Sequence, residues 1–187
     1  MVKEGYRDSL DEFLVNASLQ GDEKAFEAVV NRYKKMVART VKGMLGDSVY
    51  SEDVGQEVFI KLYYSLSEFR GDAKLSTYIQ KIAVNLTLNE LKRRKRFFSM
   101  FTHKPDNELY EYNIAGEDVE NKHDAKATVE KALKTLEPKF RIVVVMRMLQ
   151  GYSTKETAKI LKLPLGTVLS RLSRAQEQLR KYLINDE

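Results

Sequence analysis

The sequence predicts an all-α chain of two helical domains joined by a flexible linker, and three observations carry that prediction. Apolar residues recur at spacings of three and four through most of the 187 residues, and only three prolines and nine glycines interrupt them. No strand-like alternation competes with that period. One stretch breaks it: from about Phe97 to Asp124 the periodicity disappears, and Pro105 to Asp124 holds seven acids against one lysine, the composition of an interdomain linker. The expected divisions are therefore 1–97 for the first domain, 98–124 for the linker and 125–187 for the second domain. A chain of this length suffices for two small cores.

In the first domain, Asp22 after Gly21 is placed to cap a helix whose buried stripe is Phe26, Val29, Val30, Tyr33, Val37, Val41 and Met44. Gly46-Asp47 ends it. Ser51, Glu52 and Asp53 then give "SEDVGQEVFIKLYYSLSEF" an acidic start that suits the positive end of a helix dipole. Its core stripe is Val54, Val58, Phe59 and Leu62, yet Ile60, Tyr63 and Tyr64 fall on the other side beside Asp53, Gln56 and Glu57. A helix apolar on two faces needs a second cover, either another element of its own domain or a partner protein. After the break "FRGDAKLS", a helix starts at Leu75 with Leu75, Tyr78, Ile79, Ile82, Ala83 and Leu86 on its core face. The opposite face carries Thr77, Lys81, Val84, Asn85, Leu88, Lys92 and Lys95, and the helix ends in "KRRKR", five consecutive cations. Such an end is either a solvated helix terminus, where cations suit the dipole, or a stripe that meets a phosphate backbone, with Asn85 available for a base edge.

The second domain resumes the helical pattern at "AKATVEKALKTL", stops at Glu137-Pro138, continues in "FRIVVVMRMLQ" and restarts after Gly151. Ser153 and Glu156 form a capping box, with Ala158 and Leu161 facing inward. A short turn follows, and Pro164 suits the first turn of the last helix. At about 100° per residue, Val168, Leu172, Ala175 and Leu179 gather on one side, and Ser170, Ser173, Arg174, Glu177 and Lys181 fall opposite. Two short helices around a tight turn, the second exposing small, polar and basic residues, is the arrangement with which a helix-turn-helix enters the major groove. The serines permit close approach, Arg174 reaches a guanine edge, and Arg171 on the flank reaches a phosphate. The alternative is a surface helix whose charges keep it soluble.

Composition narrows the function classes. The net charge of +5 and an isoelectric point near 9.2 favour a polyanionic partner. The absence of cysteine removes disulfides, thiolate metal sites and cysteine nucleophiles, and suits a reducing compartment. His103 and His123, the only histidines, stand in polar surroundings and read as solvated loop residues. No phosphate-cradling glycine loop or nucleophile elbow accompanies them, so no enzyme, metal site or cofactor is expected. The start "MVKEGYRDSLDEFLV" lacks the apolar core of a signal peptide, and no stretch approaches the roughly 20 apolar residues that span a bilayer. The expectation is a soluble, cytoplasmic protein with no membrane insertion.

Two modules in this order also resemble a known family. "GDEKAFEAVVNRY", "EDVGQEVFIKLY", "FRGDAKLSTYIQKIAVN" and the basic helix end resemble sigma region 2; "TLEPKFRIVVVMRMLQGYSTKETAKILKLPLGTVLSRLSRA" resembles sigma region 4. The chain thus resembles an extracytoplasmic function (ECF) sigma factor of bacterial RNA polymerase, in the sigma-70 family. The resemblance implies a promoter-recognition subunit that binds core polymerase and helps melt the promoter by capturing a flipped base. It implies that Asp53, Gln56, Glu57, Ile60 and Tyr64 dock on the beta-prime clamp helices, and that the beta flap is a further contact. It assigns the minus-ten element to Arg70, Asp72, Lys74, Ser76, Lys81, Asn85 and Lys92, with Asn85 at the captured base. The minus-thirty-five element falls to Thr167, Ser170, Arg171, Ser173 and Arg174, and an anti-sigma factor is an expected further partner.

Three positions depart from the family pattern. Tyr78 stands where tryptophan is common, at a position read as core. Gly55 replaces an aliphatic residue inside a helix, where it costs about 1 kcal/mol. Leu169 lies where many relatives carry lysine or arginine, which removes one expected DNA contact. The acidic linker either occupies a nucleic-acid channel of the polymerase, as linkers of the family do, or is a tether. The rival reading is a stand-alone helix-turn-helix regulator that binds its operator without polymerase.

Overall fold

The computed structural model describes residue 6 and residues 9–102 and 125–185. His103, His123 and most of the expected linker lie outside the described residues. Among those described, all regular structure is helical: α1 (Asp11–Leu19), α2 (Glu23–Leu45), α3 (Val49–Ser65), a short 3₁₀ turn (Leu66–Glu68), α4 (Leu75–Thr102), α5 (Ala125–Thr135), α6 (Pro138–Val144), a π-helical turn (Val145–Leu149), α7 (Thr154–Leu161) and α8 (Leu165–Asn185).

The first four helices form a bundle around Leu14, Val29, Val37, Val41, Val58, Leu62, Leu75 and Ile79. The carboxylate of Asp22 accepts the backbone N–H groups of Lys24 (2.9 Å) and Ala25 (3.2 Å), so α2 begins where the sequence indicated. Such a cap contributes about 1 kcal/mol. Helix α3 starts earlier than expected. Its first residue is Val49, and the Ser51 hydroxyl turns back to accept the Ser48 N–H (3.2 Å) and donate to the Ser48 carbonyl (2.6 Å). Ser51 and Glu52 therefore fall within the first turn, and Asp53 follows it. Gly46, with φ of 79°, makes the preceding reversal in a conformation that favours glycine. Tyr78 is half-buried, rings with Phe69 at 5.3 Å, and donates its hydroxyl to the Ser65 carbonyl (3.0 Å). Residues 98–102, expected in the linker, continue α4.

In the second half, α5, α6 and α8 enclose Leu133, Leu136, Phe140, Val144 and Ala175. The expected capping box of α7 is present: Glu156 N–H donates to the Ser153 hydroxyl (3.2 Å), and Ser153 N–H donates to the Glu156 carboxylate (2.8 Å). The residues that α7 buries most fully are Thr157 and Ile160, with Ala158 and Leu161 half-buried. Lys162 turns the chain with φ of 53°. Pro164 lies one residue before α8, and its carbonyl accepts from Thr167 (3.0 Å) and Val168 (3.2 Å), so it precedes the first turn rather than entering it. On α8, Val168 and Ala175 are fully buried and Leu172 and Leu179 half-buried, the inward stripe that periodicity selected.

The halves do not stand apart. Met44 of α2 and Val84 of α4 share a core with Ile142, Val143, Val145, Met146 and Ile160. Gly43 lets the π-helical turn approach α2 closely: a Cβ there would lie 2.9 Å from one γ-methyl of Val145 and 3.2 Å from the other. A polar seam runs beside this contact. Gln80 donates to the Thr40 hydroxyl (2.7 Å) and the Met146 sulfur (3.1 Å), while Gln150 donates to the Met36 carbonyl (3.2 Å) and to Thr40. The buried Arg141 guanidinium donates to the Met44 carbonyl (2.6 Å) near the end of α2, and to the Lys134 (2.7 Å) and Leu136 (2.9 Å) carbonyls at the end of α5. One cation thus satisfies carbonyls near two helix C-termini, where the dipoles favour positive charge. Burial pulls its pKa down to about 10, which leaves it charged at neutral pH.

Candidate nucleic-acid and partner interfaces

The second apolar face of α3 remains open. Ile60 is 57% exposed, Tyr63 55% and Tyr64 77%, and Asp53, Gln56 and Glu57 beside them are exposed as well. Tyr63 packs edge-on against Phe26 at 5.1 Å and against Tyr64 at 5.7 Å, so the tyrosines form an ordered outward cluster. Of the two covers the sequence left open, an element of the same domain is not found among the described residues. A cleft between α3 and α4 continues this surface, lined by Tyr50, Asp53, Glu57, Asn89, Glu90 and Arg93. Tyr50, Asn89 and Glu90 were not singled out by the sequence, because each looks like an ordinary surface residue until the two helices are brought side by side.

The α4 face is more committed than its pattern suggests. Val84 is buried and Leu88 half-buried against the second half of the chain, so they are core, not an open stripe. The reason is non-local: α7 and the π-helical turn cover them. Around that contact Asn85 and Lys92 stay exposed and Lys81 is half-buried. In the preceding loop Arg70, Asp72 and Lys74 are exposed, and Ser76 in the first turn of α4 is half-buried. Lys74 sits close enough to Glu156 to act on its carboxyl. The Ser153 hydrogen bonds hold that carboxyl below the ordinary range, and the positive charges of Lys74 and Arg147 lower it further. Nor is the basic end five free cations. Glu90 accepts from Arg93 (2.7 Å) and Arg94 (2.8 Å), and Arg94 also lies 4.1 Å from the centre of the Tyr50 ring.

Helix α8 leaves its outward face uncovered. Ser170, Ser173 and Arg174 are exposed, and Thr167 and Arg171 half-buried. The Ser170 hydroxyl donates to the Thr167 carbonyl (3.1 Å), keeping the serine compact against the helix. Glu177 binds Lys181 one turn on (2.9 Å), whereas Arg171 and Arg174 have no ion pair among the described residues. Leu165 and Leu169, near the start of the helix, are exposed as well. The three sets therefore lie on different elements: α3, the loop before α4 together with α4 as far as Lys92, and α8. Among the described residues no group of acids and histidines could hold a metal ion, and no helix is long and apolar enough to cross a membrane.

Comparison with known proteins accounts for this organisation. The Sigma-70 region 2 family matches residues 29–97, and the Sigma-70, region 4 family matches residues 126–179. The chain is 32% identical to the RNA polymerase sigma-H factor of Pseudomonas aeruginosa, covering 92% of this chain and 93% of that protein. It is 31% identical to the ECF RNA polymerase sigma factor SigW of Bacillus subtilis (88% and 91% covered) and 34% identical to the ECF RNA polymerase sigma-E factor of Escherichia coli (90% and 92%). Two solved structures share the fold. CnrH, in complex with the cytosolic domain of CnrY, gives a TM-score of 0.68 at 22% identity over 95% of this chain and 99% of that one. The sigma factor RpoE of Bartonella quintana, in complex with the anti-sigma factor NepR, gives 0.70 at 20% over 88% and 99%. Full-length similarity to sigma factors disfavours a stand-alone regulator, and sigma factors are not enzymes. With both regions matched in order and the similarity running through nearly the whole chain, this protein belongs to the extracytoplasmic function group of the sigma-70 family of RNA polymerase sigma factors.

Proposed function

We propose that this sigma factor carries out promoter-specific initiation through three surfaces with separate tasks. The open α3 face, with Asp53, Gln56, Glu57, Ile60 and Tyr64, docks on the beta-prime clamp helices of core polymerase. The single observation that carries this reading is that Ile60 and Tyr64 hold large apolar area in solvent beside acids, on a helix whose other face already supplies the core. The loop and α4, through Arg70, Asp72, Lys74, Ser76, Lys81, Asn85 and Lys92, engage the minus-ten strand, with Asn85 at a flipped base. Thr167, Ser170, Arg171, Ser173 and Arg174 of α8 engage the minus-thirty-five duplex.

Residues 1–97 then form the polymerase and minus-ten module, 98–124 a linker whose first residues are the last turn of α4, and 125–187 the minus-thirty-five module, which also meets the beta flap. The two solved relatives bound to a partner, one of them named an anti-sigma factor, support an anti-sigma factor for this chain too. The protein works where the polymerase is, in the cytoplasm.

The test is core binding by an Ile60→Glu, Tyr64→Glu variant. Both positions are exposed, so the fold should melt as before, while affinity for core polymerase falls at least tenfold. Unchanged affinity would remove α3 from the polymerase contact. Asn85→Ala should lower open-complex formation and leave core binding intact; equal loss of both would refute its role.

A further inference from the structure

The first turns of α8 leave two leucines in the open. Leu165 is 45% exposed and Leu169 50%. Four residues apart, they stand in one row on the helix surface, which Ser173 continues, with Ser170 alongside. Their exposure is not unfinished core. Val168 between them is fully buried and already supplies this end of α8 to the inward stripe. A Cβ on the neighbouring Gly166 would meet nothing within 4 Å, so no described element overlies this end.

The surroundings say what kind of partner fits. The row passes through Ser173 and Ser170 to Arg174, which lies well round the helix from the leucines, while Arg171 lies beside Thr167 on the far side of the inward stripe; neither arginine has an ion pair among the described residues. Unpaired guanidinium groups beside small side chains favour a polyanion that approaches closely, over an apolar protein surface. Within a major groove, one base edge alone presents an apolar group: the 5-methyl of thymine. We infer that Leu165 and Leu169 are specificity-determining residues that read thymine methyl groups in the minus-thirty-five element. The inference rests on the assignment of α8 as the promoter reader and sharpens it.

The experiment uses holoenzyme assembled from core polymerase and the full chain. A minus-thirty-five element is selected from a randomised duplex, and each thymine in it is replaced in turn by deoxyuridine, which removes the methyl and keeps the pairing. Affinity should fall about fourfold at one or two thymines, the value of one buried methyl group. Leu169→Ala or Leu165→Ala holoenzyme should bind the thymine template more weakly and show no further fall at the matching deoxyuridine. Both are exposed positions, and a thermal melt of each variant verifies the fold. The inference is overturned if the selected element contains no thymine facing α8, or if every deoxyuridine template binds as well as its parent. It is also overturned if the alanine variants and deoxyuridine act independently, since the leucines would then serve a protein partner. Failure of the unmodified holoenzyme to select any element would instead overturn the underlying assignment of α8.

Discussion

Substituting Gly43 should separate the two halves of the chain while strengthening the first. In α2 an added Cβ would sit 2.9 Å and 3.2 Å from the two γ-methyls of Val145 and 3.7 Å from a Leu149 methyl. Val145 is fully buried and β-branched, so it has little rotamer freedom with which to withdraw. Overpacking of this kind costs about 1–3 kcal/mol. Alanine also improves α2 itself by roughly 1 kcal/mol, but that gain is present whether or not the halves are in contact. The equilibrium between packed and separated halves therefore shifts by the whole overpacking cost, roughly 5-fold to 150-fold for Gly43→Ala, and further for Gly43→Val. Small-angle scattering of the free protein reads the outcome as a larger radius of gyration. Amide exchange should show faster opening in the π-helical turn Val145–Leu149 and not in the α2–α3 core. An unchanged radius together with a higher melting temperature would refute the reasoning, since only the gain in α2 would then have been felt.

Gly55 lies inside α3 and a Cβ there would meet nothing within 4 Å, so Gly55→Ala should stabilise by about 0.5–1 kcal/mol in denaturant melts, with core binding unchanged. Arg141→Met keeps much of the volume but leaves the Met44, Lys134 and Leu136 carbonyls without their donor; a loss of about 3 kcal/mol is expected, measured by chemical denaturation. The Glu156 carboxyl is held below its ordinary 4.5, chiefly by the Ser153 hydrogen bonds. Its stabilising effect is present above that value and is lost as pH falls through the lower folded value. Glu156→Gln should therefore lower stability at neutral pH and leave it little changed in acid, where the two curves converge, so the acid limb flattens.

Much of this architecture was legible because local spacing and burial agree. The stripe on α2, the capping box at Ser153 and Glu156, and the division of α8 into inward and outward faces all depend on residues within two turns of one another. The open α3 face was legible as a conflict, a helix with more apolar residues than one core requires. What stayed hidden was non-local. Val84 and Leu88 looked like part of an outward stripe because their cover comes from α7, far along the chain. Arg141 looked like an ordinary charge within "FRIVVV", since only the packed fold brings the ends of α2 and α5 to it. Tyr50 takes part of the "KRRKR" charge for the same reason, as a ring on a neighbouring helix, whereas the Glu90 ion pairs one turn back are local and were masked by the run of cations.

The central claim is that this chain directs core polymerase to a promoter rather than binding DNA on its own account. The most direct measurement mixes the purified full chain, core polymerase and a pool of promoter templates, and maps the 5′ ends of the RNA made in vitro. Initiation from defined sites only when both proteins are present is the predicted result. Specific DNA binding by the chain without polymerase, with no initiation when polymerase is added, would contradict it.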